Sequence, residues 1–317
     1  RTSLYKRQIQ SVGADVLFFP YHLKRKINFE TFAKKRMHLT KNKYFSSNEL
    51  TPLNSEFDIF VCGSDQIWNI DCTHGVEPAY FLAFADDRKT KIAYAPSLAH
   101  IKFETDYKDN LKKLLERFDA ISVREESTVP YLQSIVQKKI ETALDPTLLL
   151  NSNEYLKMVN AKACESKYIF AYMLEVNAEL IQYCEKLKKK TGYQLYYLTS
   201  KVNSGFGEGK NLFGISPEEF LRYIYQAQYV VTNSFHATVF SILFNKKFCT
   251  FPTSKSSSRM VDLLEKLNML DRIDNISFNI DNPINYKAVE SRLEKLRYKS
   301  SIFLKNALTK KDHKNEN

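Results

Sequence analysis

The sequence predicts a parallel α/β fold in two domains, on three observations. Apolar runs of strand length alternate with segments of helical period almost from end to end, the pattern of repeated βαβ units. The chain has 317 residues, and domains take roughly 100–200 each. Hydrophobic residues make up 44% and charged residues 26%, the balance of a globular protein. A chain of this size buries on the order of 75% of its unfolded surface, so it needs no disulfides to hold a core.

In the first half, strands are expected at 15–19, 57–62, 90–95, 119–123 and 140–144. Between them, 105–118 reads as a helix with Tyr107, Leu111, Leu114, Leu115 and Phe118 on one face. The second half alternates more cleanly: strand 167–173, helix 177–190, strand 193–199, helix 217–227, strand 228–232, helix 236–244 and strand 247–251. Ser216-Pro217-Glu218-Glu219 supplies an N-cap, a proline at the first helical position and an acid at the third. Gly192 stops the helix before it. Residues 145–153 read as the crossing between an N-terminal domain, 1–150, and a C-terminal domain, 151–283. The remainder, 284–317, holds a last helix at 286–308, expected to pack back on the N-terminal domain, and a polar tail. The chain opens at Arg1 inside an expected helix, Leu4 to Ser11, so a first strand and its turn are expected upstream.

Several function classes fall away. Five cysteines with no C-x-x-C fit a reducing, cytoplasmic setting better than a disulfide framework. The longest apolar stretch, 229–244, is broken by Thr232, Asn233, Ser234 and His236, so it is not a membrane span. Gly205-Phe206-Gly207-Glu208-Gly209-Lys210 is no P-loop, because Ser204 and Asn211 stand where glycine and a hydroxyl residue are needed; it reads as a loop, a candidate lid. No H-E-x-x-H or histidine–cysteine cluster points to a metal, and no G-x-S-x-G elbow to a hydrolase. The net charge is +11 and the pI near 9.2. Between Lys24 and Lys43, eight basic residues face one acid, Glu30. This block is either a solvated face or a docking site for an anionic membrane leaflet or a polyanion. Nucleic acid is the weakest of the specific options and is not expected as a partner, since no zinc-ligand spacing, RNA-binding signature or basic-region heptad appears.

In open α/β sheets, ligands sit beyond the carboxyl ends of the strands. Four polar clusters fall there: Gly63-Ser64-Asp65-Gln66 after 57–62, Pro96-Ser97 after 90–95, Arg124-Glu125 after 119–123, and Asn233-Ser234-Phe235-His236 after 228–232. Gly63, Ser64, Gln66, Ser97 and Asn233 are candidates for lining a ligand crevice. Plainer roles compete with functional ones. Ser64 and Asp65 can cap a helix, and Arg124 can pair on the surface with Glu125 or Glu126. His236 can be a structural histidine, Trp68 core filling, and Asp145-Pro146 a turn.

These blocks carry a resemblance. Phe57-Asp58-Ile59-Phe60-Val61-Cys62-Gly63-Ser64-Asp65-Gln66-Ile67-Trp68-Asn69 resembles the first signature of the polysaccharide pyruvyl transferase family, and Asn233-Ser234-Phe235-His236-Ala237-Thr238-Val239-Phe240-Ser241 its second. Ile121 to Glu125 with Ser127, Leu144 to Leu149, and Ser258-Arg259 with Leu263-Leu264 are similar to further family segments in the same order. The likeness runs from about residue 12 to 275.

The resemblance implies two Rossmann-like domains facing a cleft, in the GT-B manner. It also implies transfer of pyruvate from phosphoenolpyruvate, as a cyclic ketal, to two hydroxyls of a sugar, with release of phosphate and no cofactor. The acceptor is a cell-surface polysaccharide, capsule or exopolysaccharide, or its lipid-linked precursor. On this reading His236 donates the proton and Asp65 orients or deprotonates the acceptor hydroxyl. Arg124, Ser234, Phe235 and Arg259 bind the donor's two anions, for which arginine forks and helix N–H groups are suited. The N-terminal domain is the acceptor side and the C-terminal domain the donor side. The family's Asn-Tyr-Gly turn is absent, and Ser234 stands where some members have arginine, leaving Arg259 to supply that contact. Two other readings are a nucleotide-sugar glycosyltransferase on the same scaffold and a non-catalytic anionic-polymer-binding protein.

Overall fold

Nine strands among the described residues account for the alternation seen in the sequence. The computed structural model describes residues 20–99, 105–159, 166–199, 205–252, 257–273 and 278–309. The helix expected at 4–11 and the strand expected at 15–19 lie outside them. The strands form two sheets, in two separately packed units.

The first unit comprises Asn42–Asn151, Pro252–Asp271 and Pro283–Asn317. Its strands are β1 (Ile59–Gly63), β2 (Thr90–Tyr94), β3 (Ala120–Val123) and β4 (Ile140–Thr142). They pair in that order, all parallel. Every position of β2 is buried, as a strand covered on both faces requires. On one face Phe60, Ala93 and Ile121 meet Trp68, Phe81, Leu115 and Phe118. Trp68 stacks on Phe81 with ring centroids 4.9 Å apart and donates its indole N–H to the Tyr80 carbonyl, so it fills the core. On the other face Ile92 and Tyr94 meet Phe303 and Ala307 of the helix Tyr286–Thr309. The Ser300 hydroxyl of that helix accepts from the Leu144 N–H at 2.9 Å.

The packing divides the chain differently from the sequence ranges 1–150 and 151–283. Residues 252–271 join the first unit and residues 20–41 join the second. The helix Ser257–Leu267 explains the first exchange, since it buries Met260, Leu263, Leu264 and Leu267, an i, i+3, i+4, i+7 stripe. Periodicity says that such a helix needs a partner, not which sheet provides it.

The second unit comprises Arg1–Lys41, Ser152–Phe251 and Arg272–Asn282. It holds β5 (Tyr168–Met173), β6 (Gln194–Thr199), β7 (Lys210–Asn211), β8 (Tyr229–Thr232) and β9 (Lys247–Thr250). Their order is β7-β6-β5-β8-β9, all parallel. The chain thus builds outward from β5 to β7, then returns to the other side of β5 with β8. This reversal makes the β5–β8 boundary a topological switch point, where such sheets bind ligands. Local chemistry sets the helix limits. Asn177 caps Ala178–Thr191, which ends at Gly192 in the left-handed region at φ +68°. Ser216 and Glu219 form a reciprocal capping box on Pro217–Gln226. The loop 205–209, a candidate lid in the sequence, rests on β6: Phe206 packs 4.9 Å from the Tyr197 ring, centroid to centroid. An additional helix, 20–36, ties to this unit through Asn28, whose side-chain amide donates to the Gly214 carbonyl at 2.7 Å.

Candidate active site

Because β1 to β4 are parallel and adjacent, the residues following all four strands emerge on one rim of the first unit. β1 ends at Gly63, at φ +144°; a Cβ there would lie 1.9 Å from the Tyr94 carbonyl oxygen, so no other residue fits beside β2. Asp65 follows at φ +60°, an unusual conformation for a non-glycine residue. Its carbonyl is held by the Ser97 N–H at 2.8 Å. This turn aims Ser64 and Asp65 along the rim toward β3.

Arg124, after β3, is the centre of the cluster. Its Nη2 donates to Asp145 Oδ2 at 2.7 Å and to the Ser64 hydroxyl at 2.5 Å, and its Nη1 lies 3.8 Å from Asp65 Oδ1. Asp145, after β4, also accepts from the N–H and hydroxyl of Thr147. From the helix Ser257–Leu267, Arg259 Nη1 donates to Asp65 Oδ1 at 3.3 Å. The Arg124 and Arg259 side chains are only 4% and 5% exposed, whereas that of Asp65 is 61% exposed. Two buried guanidinium groups therefore present one open carboxylate to solvent. Burial, and then the neighbouring Arg124 charge, hold Arg259 below the usual guanidinium range, with Asp65, Glu125 and Asp145 opposing; arginine stays protonated at neutral pH all the same.

Asp145 therefore does more than mark a turn: it anchors Arg124 while capping the step into Pro146. The surface pairing considered for Arg124 is corrected, because that side chain is buried against Asp145, while Glu126 reaches Lys266 at 3.3 Å. Asp145 and Glu125 are the members of this cluster that the sequence left out of the site. Applying the strand-end rule to 140–144 as well would have found Asp145. Ser97 is fully buried and donates its hydroxyl to Glu125 Oε1. Gln66 accepts from the Asn69 amide at 2.6 Å. Both therefore brace the rim.

Glu125 is also fully buried, and its second oxygen has no hydrogen-bond partner among the described residues. Burial pushes its carboxyl above the ordinary range, against the Ser97 hydrogen bond and the charges of Arg124 and Arg259. The native state thus keeps a proton that the unfolded chain loses near pH 4.5. The associated stability is complete below that pH and is lost as pH rises through the higher folded pKa. Glu125→Gln stays neutral and should lack this decline. Its melting temperature relative to wild type should climb from acid pH toward neutrality. A difference that stays constant with pH would show an ordinary carboxylate at this position.

In the second unit, β8 delivers Asn233, Ser234, Phe235 and His236 to the switch point. The Asn233 amide bridges to the segment after β5, accepting from the Leu174 N–H and donating to the Glu175 carbonyl, both at 2.7 Å. Its polar atoms thus fasten β8 to β5. Ser234 caps the helix Phe235–Leu243, accepting from the Ala237 N–H. The Phe235 ring lies edge-on to the imidazole at 5.4 Å. Between 230 and 244 every residue is buried except His236, which is partly exposed. A histidine serving only as core filling would be enclosed with its neighbours. No cluster of three or more His, Cys, Asp or Glu among the described residues could hold a metal ion.

A family model for polysaccharide pyruvyl transferases matches residues 4–255. The chain belongs to the polysaccharide pyruvyl transferase family. The match spans Asp65, Arg124, Asp145 and His236, with Arg259 just beyond it. No curated protein sequence matches the chain significantly. Among solved structures, UDP-N-acetylglucosamine 2-epimerase from Rickettsia bellii is similar, with a TM-score of 0.52 at 13% identity over 94% of this chain and 88% of that one. The Neisseria meningitidis UDP-GlcNAc 2-epimerase bound to UDP-GlcNAc gives 0.49 at 12% identity over 83% and 80%. The Staphylococcus aureus MnaA–UDP structure gives 0.46 at 12% identity over 83% and 78%. At such identities likeness speaks for fold alone. The Rickettsia comparison assigns this transferase-family chain the GT-B-like architecture of paired Rossmann-like units. Among the described residues, no helix is long and apolar enough to cross a membrane.

Proposed function

We propose that this protein transfers pyruvate from phosphoenolpyruvate to two hydroxyls of a sugar, in a cell-surface polysaccharide or its lipid-linked precursor, on the cytoplasmic side. The product is a cyclic ketal, phosphate is released, and no cofactor takes part. The observation that carries this reading is the family match across 4–255, which takes in Asp65, Arg124 and His236. In this scheme Asp65 orients the attacking hydroxyl and takes its proton. One sugar oxygen bonds to C2 of the donor while His236 gives a proton to the methylene carbon, as general acid. The second hydroxyl then closes the ketal on C2 as the C2–O bond to phosphate breaks, and its proton leaves with the phosphate. Arg124 and Arg259 offset the donor's negative charge and that of the leaving phosphate, and a bound anion would compete with Asp65 for their N–H groups. In the second unit, Ser234 and Phe235 offer the N–H groups of a helix N-terminus, which suit an anion of the donor.

Thermal shift separates this reading from a nucleotide-sugar transferase. Phosphoenolpyruvate at a hundredfold excess over its Kd should add roughly 2.7 kcal/mol of stability, and UDP-sugars should add none. Arg124→Lys keeps the charge but loses the planar fork. It should weaken phosphoenolpyruvate binding roughly 10- to 150-fold, the range of a hydrogen bond to a charged group. Stabilisation by a UDP-sugar and not by phosphoenolpyruvate would overturn the assignment. Wild-type affinity in Arg124→Lys would remove that residue from the donor site.

A further inference from the structure

The helix 20–36 is embedded on a narrow side only. Asn28, Phe32 and Ala33 are partly buried, and every other residue from 20 to 41 is exposed. The exposed set includes large apolar side chains: Leu23 at 44%, Ile27 at 52%, Met37 at 54% and Leu39 at 60%. Leu23 and Ile27 are one turn apart, and Glu30 and Lys34 continue the same helical face. Seven Lys or Arg and one acid, Glu30, lie between 20 and 41. Lys26 spans 4.0 Å to Glu30, with both side chains more than half exposed, so the pairing offsets little of that charge.

We propose that this face docks on an anionic lipid bilayer, with Leu23, Ile27 and Met37 entering at the headgroup level and Lys24, Lys26 and Lys34 meeting lipid phosphates. The two features together select the occupant. A soluble polyanion would engage the lysines and leave the apolar side chains in water. A protein interface disfavours lysine at its buried core. A bilayer surface accepts both, apolar side chains into the acyl boundary and basic ones among the headgroups. The docking is independent of the proposed reaction and is read without turnover.

The test is flotation of the full chain with phosphatidylglycerol–phosphatidylcholine vesicles and with phosphatidylcholine alone, at low and high salt. Binding is expected to the anionic vesicles, weaker at high salt and absent from the neutral ones. Leu23→Ser with Ile27→Ser should abolish it, and Lys26→Glu with Lys34→Glu should lower partitioning by at least about five-fold per residue. All four positions are exposed, and unchanged melting temperatures will show that both variants fold. Three outcomes would each overturn the proposal. The first is no association with anionic vesicles at low salt. The second is binding that survives Leu23→Ser with Ile27→Ser, as a polyanion site would. The third is a concentration-dependent dimer that this same pair of substitutions dissolves.

Discussion

Replacing His236 with glutamine should lower kcat by about 10²–10⁴-fold, the usual share of a general acid, while leaving phosphoenolpyruvate affinity nearly unchanged. Glutamine keeps the size and hydrogen-bonding capacity of the side chain but cannot deliver a proton. The helix should tolerate it, because the cap at Phe235–Leu243 is made by Ser234 and the surrounding apolar residues stay in place. His236 is the one incompletely buried residue from 230 to 244, so little packing is lost. Steady-state phosphate release with phosphoenolpyruvate and an acceptor glycan, beside calorimetric donor binding, separates the two quantities. Near-normal turnover in His236→Gln would make the histidine structural and assign the proton to another group. A parallel loss of donor affinity would instead make it a binding residue.

The second large effect is on stability and concerns Arg124. Its guanidinium and the Asp145 carboxylate are almost wholly buried, 2.7 Å apart. Arg124→Ala would leave Asp145 with the Thr147 and Ser64 contacts but without its hydrogen-bonded counter-charge, the Arg259 guanidinium acting on it only through space. Stranding one member of a buried pair costs about 3–5 kcal/mol. Asp145→Ala should do comparable damage, because it leaves the buried guanidinium with only the solvent-exposed Asp65 carboxylate, 3.8 Å away, as counter-charge. The double variant should be less destabilised than the sum of the two, since no uncompensated charge remains. Urea unfolding of all three proteins gives the coupling directly. Additive losses would mean that the two residues act on stability separately, and that Arg124 is not held in place by Asp145.

Secondary structure was largely legible because it is written in short-range chemistry. Ser216-Pro217-Glu218-Glu219 and Gly192 act within one helical turn, and short, largely apolar runs mark the longer strands. β7 was not legible: with two residues, Lys210 and Asn211, it has no pattern to read. The helix Ser257–Leu267 did carry a readable stripe, at Met260, Leu263, Leu264 and Leu267, and periodicity alone would have found it.

By itself the sequence determined the fold class, the family, and the polar residues that follow β1, β2, β3 and β8. Each of these rests on pattern, spacing or identity along the chain. Only the tertiary structure decided that Asp145 holds Arg124, that Arg259 reaches Asp65, and that Glu125 is buried with one oxygen unpaired. Those contacts join residues 21 to 194 positions apart, or turn on burial from water. Ion pairing and desolvation depend on distance and dielectric, neither of which a linear pattern encodes. The switch point follows the same logic. Strand order β7-β6-β5-β8-β9 arises because β8 pairs with β5 and not with β7, and that pairing is made through space by a returning chain.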